Sequence, residues 1–346
     1  MSYPIHRLGK KPSFRYVWND QKPVTNKKEL ARIHSLAIPP AYINVKIYGP
    51  LEKIQGTGVD SKQRIQYLYH PDWVKERDRK KFHNLIAFNQ AYPKIRKAII
   101  RILPKHGPPT TKKQLVALAT AVIHTCNIRP GNNRHLKNTG SYGATTLNKK
   151  HIQKKDGRLV IRFKGKSGVV NICRLPKIGS LSSTLSALLK TLPDKEDRLF
   201  QIPGVNQITH EDINQFMKEE GGEDISAKGF RTYHANLRFL QSLQPPQPYL
   251  STDTTLTDRK KIIKKIILKL SEELHHTATI FKKSYLFPPL QELYQNDPTK
   301  FKRLFKKKDI DQALSRFLKK HTPKHVIHIH MKHKPLTYEE RIQINR

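Results

Sequence analysis

Five side chains in this sequence could together perform one reaction. They are Arg129 in "NIRPGN", Lys166 in "KGKSG", Arg231 in "KGFRTYH", and His276 and Tyr285, which lie nine residues apart in "LHHTATIFKKSYLFPP". A tyrosine hydroxyl has an ordinary pKa of about 10, so it attacks a phosphodiester only when its proton is removed and the charge on the phosphate oxygens is neutralised. Two guanidinium groups and an imidazole supply that positive charge, and a lysine on a hairpin turn can protonate the departing 5′ oxygen. The set predicts phosphodiester transesterification.

Taken singly, each of these residues also has an ordinary structural interpretation. An arginine in a basic chain is usually a surface charge, a histidine after an amphipathic helix is usually a helix-end cation, and a tyrosine beside phenylalanine and proline usually packs in a core. The sequence contains no group of acidic residues that resembles a two-metal site. We therefore expect the reaction to need no metal ion, with a divalent cation stimulating it at most, and no ATP.

The charge of the chain favours nucleic acid as the partner. Lys and Arg number 66 against 27 Asp and Glu among 346 residues, a formal net charge of +39. Such an excess repels itself in a compact fold unless a polyanion offsets it. A membrane surface is the second candidate, but no apolar run reaches the roughly 18 residues of a spanning helix, and the N-terminus lacks a signal-peptide core. We expect an intracellular protein that handles DNA or RNA. Its two cysteines give no disulfide framework and no metal quartet.

The first 95 residues or so are predicted to form a small, β-rich α+β domain. "SFRYVWND", "YINVKIYG" and "RIQYLYH" have strand patterns, and "GTGVDSKQ" has the composition of a turn. "TNKKELARIHSLAIPP" has a capped helical start and a double-proline stop. The long helical stretch that follows is expected to break near Pro93.

Residues 96–292 are predicted to form a larger, mainly helical domain that carries a β-hairpin. Two β-rich runs flank "KGKSG", which is typical of a hairpin with a glycine-rich turn. "THEDINQFMKEE" begins with a capping threonine and early acidic residues, and residues 259–274 carry an apolar stripe at helical spacing. The basic segment 293–346 is either an added DNA-gripping element or a solvated tail.

At these motifs the chain resembles the type IB DNA topoisomerases of the poxvirus, bacterial and giant-virus kind. "IRPGNNRHLKNTGSYGATTLNKKHI" is similar to the motif around the family's first arginine, Phe163–Lys166 to its F-x-G-K hairpin, and "KGFRTYH" to the motif of its second arginine. "HTATIFKKSY" is similar to its final motif, and "FRYV", "LARIHSLAIPPAY" and "IQGTGVDSKQRIQYLYHPDW" to its N-terminal domain. The resemblance covers residues 13–292, and it implies the catalytic fold shared by type IB topoisomerases and tyrosine recombinases.

The resemblance assigns a role to each of the five residues. Tyr285 is the nucleophile that forms a 3′-phosphotyrosyl link, Arg129, Arg231 and His276 stabilise the transition state, and Lys166 is the general acid. It implies an enzyme that relaxes positive and negative supercoils by transient cleavage of one strand, as a monomer that closes around duplex DNA. Residues matching DNA-contacting positions, or expected to bind DNA, are Arg64, Gln66, Tyr67, Tyr69, Lys164 and Lys283.

Several alternatives stay open at the level of sequence. The run His275-His276-Thr277-Ala278 lacks a glycine and a proline that family members often have there, which makes His275 a rival of His276. Tyr67 and Tyr69 alternate on one strand face, so they either pack or contact DNA. "HVIHIHMKH" near residue 330 has histidines, but no carboxylate or thiol partner at ligand spacing. We predict no metal site there.

Two other functions compete with the topoisomerase. A tyrosine recombinase performs the same transesterification, but it has a histidine three positions before its second arginine, where this chain has Lys228. Recombinases also assemble as tetramers on paired sites. A basic DNA-binding protein without catalysis would bind in a salt-sensitive manner and form no covalent adduct. The sequence does not distinguish a bacterial cytoplasm or nucleoid from a viral factory or virion.

Overall fold

The computed structural model describes residues 3–244, 254–306 and 309–321. The chain divides into two compact units, with the boundary between Lys81 and Phe82. The sequence pattern had placed this boundary near residue 95. The described residues after 292 belong to the second unit.

The first unit is built on a five-stranded antiparallel sheet with the strand order β2-β1-β3-β4-β5. Its small core joins residues of the sheet to Ile33 of helix α1 and to Trp18. The strands are β1 (Ile5–Lys10), β2 (Ser13–Val17), β3 (Ile43–Ile47), β4 (Ile54–Val59) and β5 (Ile65–Tyr69), and the helix is α1 (Lys27–Ser35).

Two local predictions for this part of the chain are wrong. The start of "GTGVDSKQ" belongs to β4, and the turn follows at Asp60. A side chain at Gly58 would approach the Tyr42 ring within about 3 Å, so glycine lets this strand pass close to the ring.

The predicted break near Pro93 is the second, because helix α2 (Pro71–Ile102) continues through this proline. The buried side chains of Ala91 and Ile95 hold the helix to the core on both sides of the proline.

The second unit is mainly helical and surrounds one large apolar core, as predicted. Thr209 caps α6 as expected, because its side chain accepts a hydrogen bond from the Asp212 backbone N–H. The apolar stripe of α8 is buried at Ile263, Ile266 and Leu270. The helices that precede the catalytic tyrosine candidate are α3 (Lys112–Cys126), α4 (Asn133–Thr139), α5 (Ser180–Thr191), α6 (His210–Gly221), α7 (Lys228–Ser242), α8 (Leu256–Glu273) and α9 (Ala278–Ser284).

A three-stranded antiparallel sheet carries the predicted hairpin. It consists of β6 (Ile152–Lys155), β7 (Arg158–Lys164) and β8 (Val170–Arg174), and a short 3-10 turn, Lys166–Gly168, joins the last two strands. The end of α3 and strand β8 meet, and Cys126 and Cys173 form a disulfide there. The two cysteines therefore give one cross-link, which their separation of 47 residues did not suggest.

The described residues after 292 fold onto the catalytic unit, so they are not a solvated tail. Tyr294, Phe301 and Phe317 are buried in the large core. The Tyr233 hydroxyl of α7 donates a hydrogen bond to the Asp311 carboxylate. The helices of this segment are α10 (Pro288–Asn296), α11 (Pro298–Lys302) and α12 (Ile310–Lys320), and residues 322–346 lie outside the described part of the chain.

We expect Phe317→Ala to destabilise the protein because it opens a cavity where α12 meets the core. Removing a buried phenylalanine ring typically costs about 3–5 kcal/mol of unfolding free energy, and Phe317 is 2% exposed. Lys319→Ala, at an exposed position of the same helix, is the matched control and should change stability little. Chemical denaturation of both variants checks this expectation, and equal midpoints for Phe317→Ala and the wild type would contradict it.

Candidate active site

A buried arginine with an incomplete set of partners lies at the centre of the site. Arg231, in the first turn of α7, is 2% exposed. Its Nη2 donates to the Leu274 carbonyl oxygen at 2.6 Å and to His276 Nε2 at 2.5 Å. Within the described residues, its Nε and Nη1 find no acceptor. Burial and the charge of Arg129 lower the pKa of Arg231 to about 10, so the guanidinium stays charged at neutral pH.

The structure brings His276, rather than His275, against this arginine. His275 adopts a left-handed conformation with φ 55°, which ends α8 and turns the chain. His276 follows, and its ring stacks on Tyr285 with ring centroids 4.4 Å apart. Because a guanidinium only donates hydrogen bonds, His276 Nε2 must carry a free lone pair. Burial, followed by Arg231 and Arg129, lowers the pKa of His276 to about 3 and keeps it neutral.

Tyr285 is held through its own backbone as well as through its ring. The Thr277 hydroxyl caps the short helix α9 by accepting from the Ile280 N–H, and Tyr285 is the residue that ends this helix. The buried Asn236 of α7 donates from Nδ2 to the Tyr285 carbonyl oxygen at 2.9 Å and accepts from the Phe287 N–H at 2.8 Å. The nucleophile candidate is thereby tied to the helix that carries Arg231.

Arg129 lies on a tightly packed loop after α3. The Ala144 N–H donates to the Arg129 carbonyl oxygen at 2.8 Å, which pins the loop to the start of the next segment. Gly143 and Gly131 are in close contact here, since a Cβ on Gly143 would lie 2.5 Å from the Gly131 Cα. The glycines of "RPGNN" and "SYGATT" thus let two backbones meet beneath the arginine.

Lys166 is exposed at the turn of the hairpin, and its charge contributes to the lowered pKa of His276. His276 and Tyr285 thus lie against Arg231, and the charges of Arg129 and Lys166 are near enough to lower the pKa of His276. Lys164, on β7, is exposed in the same hairpin, and Lys283 is exposed on α9. These two lysines are placed where solvent, and hence a phosphate backbone, can reach them.

The N-terminal DNA-binding candidates lie on or beside β5 in the first unit. Arg64 and Gln66 both donate to the Asp60 carboxylate, and this pairing with Arg64 holds the pKa of Asp60 well below its usual range. Tyr69 stacks on Trp73 at 4.4 Å, whereas Tyr67 is 40% exposed. Tyr67 also stacks on Tyr69, with ring centroids 6.2 Å apart, and Tyr69 is half-buried. Both rings pack on a neighbour and both keep exposed surface, so DNA contact by either stays a prediction.

Sequence reasoning missed the residues that hold the site in place. Asn236, Asn127 and His234 are polar positions on or beside buried surfaces, and no spacing rule marks them. The only pattern that could have found Asn236 is a polar residue on the otherwise apolar face of α7, five positions after Arg231.

In the ranges that the structure describes, no group of three or more His, Cys, Asp or Glu side chains could hold a metal ion. The histidine run near residue 330 lies outside those ranges. None of the described helices is long and apolar enough to cross a membrane.

Comparison with known proteins identifies the family. Residues 70–323 match the family described as eukaryotic DNA topoisomerase I, catalytic core, and residues 13–60 match the bacterial DNA topoisomerase IB N-terminal domain. The chain is 32% identical over 311 residues to DNA topoisomerase 1B of Acanthamoeba polyphaga mimivirus, which covers 86% of this chain and 89% of that protein. The chain belongs to the type IB DNA topoisomerase family. DNA is accordingly its substrate, and the activity of its family is relaxation of supercoils through a phosphotyrosine intermediate.

Other type IB topoisomerases match at lower identity. DNA topoisomerase 1B of Vaccinia virus (strain Copenhagen) is 25% identical over 288 residues, 82% of this chain and 87% of that protein. Among solved structures, a XerH site-specific recombinase bound to its palindromic difH substrate superposes with a TM-score of 0.38 and 16% identity, over 58% of this chain and 50% of that one. That superposition is too loose to support an argument. The family match decides against the recombinase and against the non-catalytic alternative.

Proposed function

We propose that Tyr285 is the nucleophile of this type IB topoisomerase and forms a 3′-phosphotyrosyl link with one DNA strand. The Tyr285 oxygen bonds to phosphorus and its proton passes to solvent, while the bond from phosphorus to the 5′ oxygen breaks. Arg129, Arg231 and His276 neutralise the charge that develops on the non-bridging oxygens, and Lys166 protonates the departing 5′ oxygen. Rotation of the free end then relaxes supercoils of either sign. Religation reverses the chemistry, with the 5′ hydroxyl as nucleophile and Tyr285 as leaving group.

One observation carries this assignment. The buried Arg231 guanidinium has two N–H-bearing nitrogens without an acceptor in the described part of the chain, next to the Tyr285 ring. A buried, uncompensated charge is costly, by several kcal/mol in typical proteins. An anionic phosphodiester in the same place would satisfy both nitrogens and recover that cost. The site therefore fits an anionic phosphate.

The neutral His276 suggests how the site responds to DNA. Without DNA, its Nε2 accepts a hydrogen bond from Arg231. When a phosphate oxygen takes over that guanidinium donor, His276 Nε2 is released and meets a nearby negative charge, which favours protonation. His276 can then donate to a phosphate oxygen and add to the stabilisation by the two arginines.

The chemistry requires neither a metal ion nor ATP. Arg129, Arg231 and His276 supply the positive charge that a metal would otherwise provide. The phosphotyrosyl bond conserves the energy of the phosphodiester, so religation needs no external source. A divalent cation then acts at most on product release, by screening phosphate charge. Lys164, Lys283 and Tyr67 are exposed DNA-binding candidates.

The first test is relaxation of negatively and positively supercoiled plasmid in EDTA and without ATP. The wild-type protein should relax both forms, and Tyr285→Phe should relax neither, because it lacks the hydroxyl nucleophile. Tyr285→Phe should keep its affinity for duplex DNA, since the ring and the Asn236 contacts to the backbone remain. A covalent protein–DNA adduct on Tyr285→Phe would remove this residue from the nucleophile's role.

The second test concerns the general acid. Lys166→Ala should slow single-turnover cleavage by roughly 10²–10⁴-fold, and a 5′-thio leaving group, which needs little proton donation, should restore most of the rate. Lys164→Ala, at an exposed lysine of the same hairpin, is the matched control. It should weaken DNA binding without a thio-specific rescue. A Lys166→Ala variant that stays slow on the thio substrate would exclude the acid role.

We also propose that the enzyme acts as a monomer closed around the duplex, since basic DNA-binding candidates occur in both structural units. Sedimentation on a short duplex should then give one protein per DNA, at a salt-dependent affinity. A tetramer holding two duplexes would instead support assembly of the recombinase kind.

A further inference from the structure

The chain changes direction abruptly at Asn127 and Ile128, the two residues between α3 and Arg129. Asn127 adopts a left-handed conformation, with φ 52° and ψ 29°, and is 2% exposed. Asparagine tolerates this conformation better than most residues. Ile128 then enters the core at 1% exposure, and Arg129 follows. The position of Arg129 therefore depends on how Asn127 is held.

Asn127 is held by the helix that carries the other catalytic arginine. His234 lies on α7, three residues after Arg231, and its Nδ1 pairs with Asn127 Oδ1. Because an amide oxygen only accepts, Nδ1 carries the proton and donates. Burial, with contributions from His124 and Arg238, lowers the pKa of His234 to about 3, so the ring is neutral and keeps one tautomer at neutral pH.

This hydrogen bond opposes an electrostatic force that acts on both arginines. Arg129 is close enough to Arg231 to lower its pKa, which means that the two like charges repel in the absence of a phosphate. A direct link between the segments that carry them resists that separation. The link lies two residues from Arg129 and three from Arg231, so little chain is left to flex between the bond and either guanidinium.

A neighbouring histidine provides a comparison within the same cluster. His124, on α3, packs 5.0 Å from His234 between ring centroids, but its Nε2 pairs with the Tyr92 hydroxyl at 2.9 Å. Burial lowers its pKa too, to about 4. His124 therefore shares the burial and aromatic packing of His234 without a hydrogen bond to the loop of Arg129.

We propose that Asn127 and His234 are positioning residues that set Arg129 against Arg231, so that both guanidinium groups meet the same phosphate. The inference rests on the proposed function of Arg129 in cleavage. Neither Asn127 nor His234 is proposed to contact DNA. Loss of the hydrogen bond should therefore reduce the cleavage step and leave DNA affinity unchanged, because the arginine remains but is less well placed.

The test is single-turnover cleavage of a duplex at neutral pH, with DNA affinity measured separately. His234→Phe keeps a ring of similar shape and removes the donor, and it should slow cleavage by about tenfold. Asn127→Gly keeps access to the left-handed backbone and should have the same effect. Asn127→Asp keeps an acceptor oxygen and should retain most of the rate. His124→Phe, the matched control, should stay within about twofold of the wild type.

Combination with Arg129→Ala separates positioning from general loss of structure. If His234 acts through Arg129, adding His234→Phe to Arg129→Ala should slow cleavage no further. An undiminished effect of His234→Phe in that background, or equal effects of His234→Phe and His124→Phe, would overturn the inference. If Asn127→Gly cleaves DNA at the wild-type rate, that result would also overturn the inference, even if His234→Phe fails to fold. Arg129→Ala alone tests the proposed function, because full activity of that variant would refute the role of Arg129 itself.

Discussion

The buried charge of Arg231 is the constraint around which the catalytic unit is arranged. A guanidinium at 2% exposure must be compensated, and among the described residues only its Nη2 has hydrogen-bond acceptors. The Leu274 carbonyl oxygen, at the end of α8, and the neutral His276 supply those acceptors. Neither carries a negative charge, so the net positive charge is left for a ligand. An acidic partner in the same place would have stabilised the free protein and blocked the phosphate.

Helix α7 connects this charge to the other parts of the site. Arg231 lies in its first turn, His234 reaches the loop of Arg129, and Asn236 holds the backbone around Tyr285. Tyr233, on another side of the helix, bonds to Asp311 of the segment that follows the nucleophile. Helix α7 thus positions three catalytic candidates, Arg129, Arg231 and Tyr285. A single rigid element suits an active site, because small displacements of catalytic groups slow the reaction.

The hairpin differs from this rigid group. Lys166 is exposed on a short turn, and its charge contributes to the lowered pKa of His276. Its base is nevertheless fixed, because β8 is joined to the end of α3 by the disulfide between Cys126 and Cys173. An exposed lysine at the turn of a hairpin with an anchored base can change position without disturbing the arginines, as the proposed general acid requires.

The sequence was enough to predict the family and most of the architecture. The hairpin around "KGKSG" and the capped helices follow from local patterns, because caps, turns and apolar spacing act over a few residues. The five candidate catalytic residues follow from their motifs. Only the tertiary structure decided which of His275 and His276 meets Arg231, that residues 293–306 and 309–321 belong to the core, and that the two cysteines are joined. It alone revealed Asn127, His234 and Asn236. Asn127, His234 and Asn236 make contacts between residues 49 to 107 positions apart, and no local pattern encodes which distant segments a core will bring together.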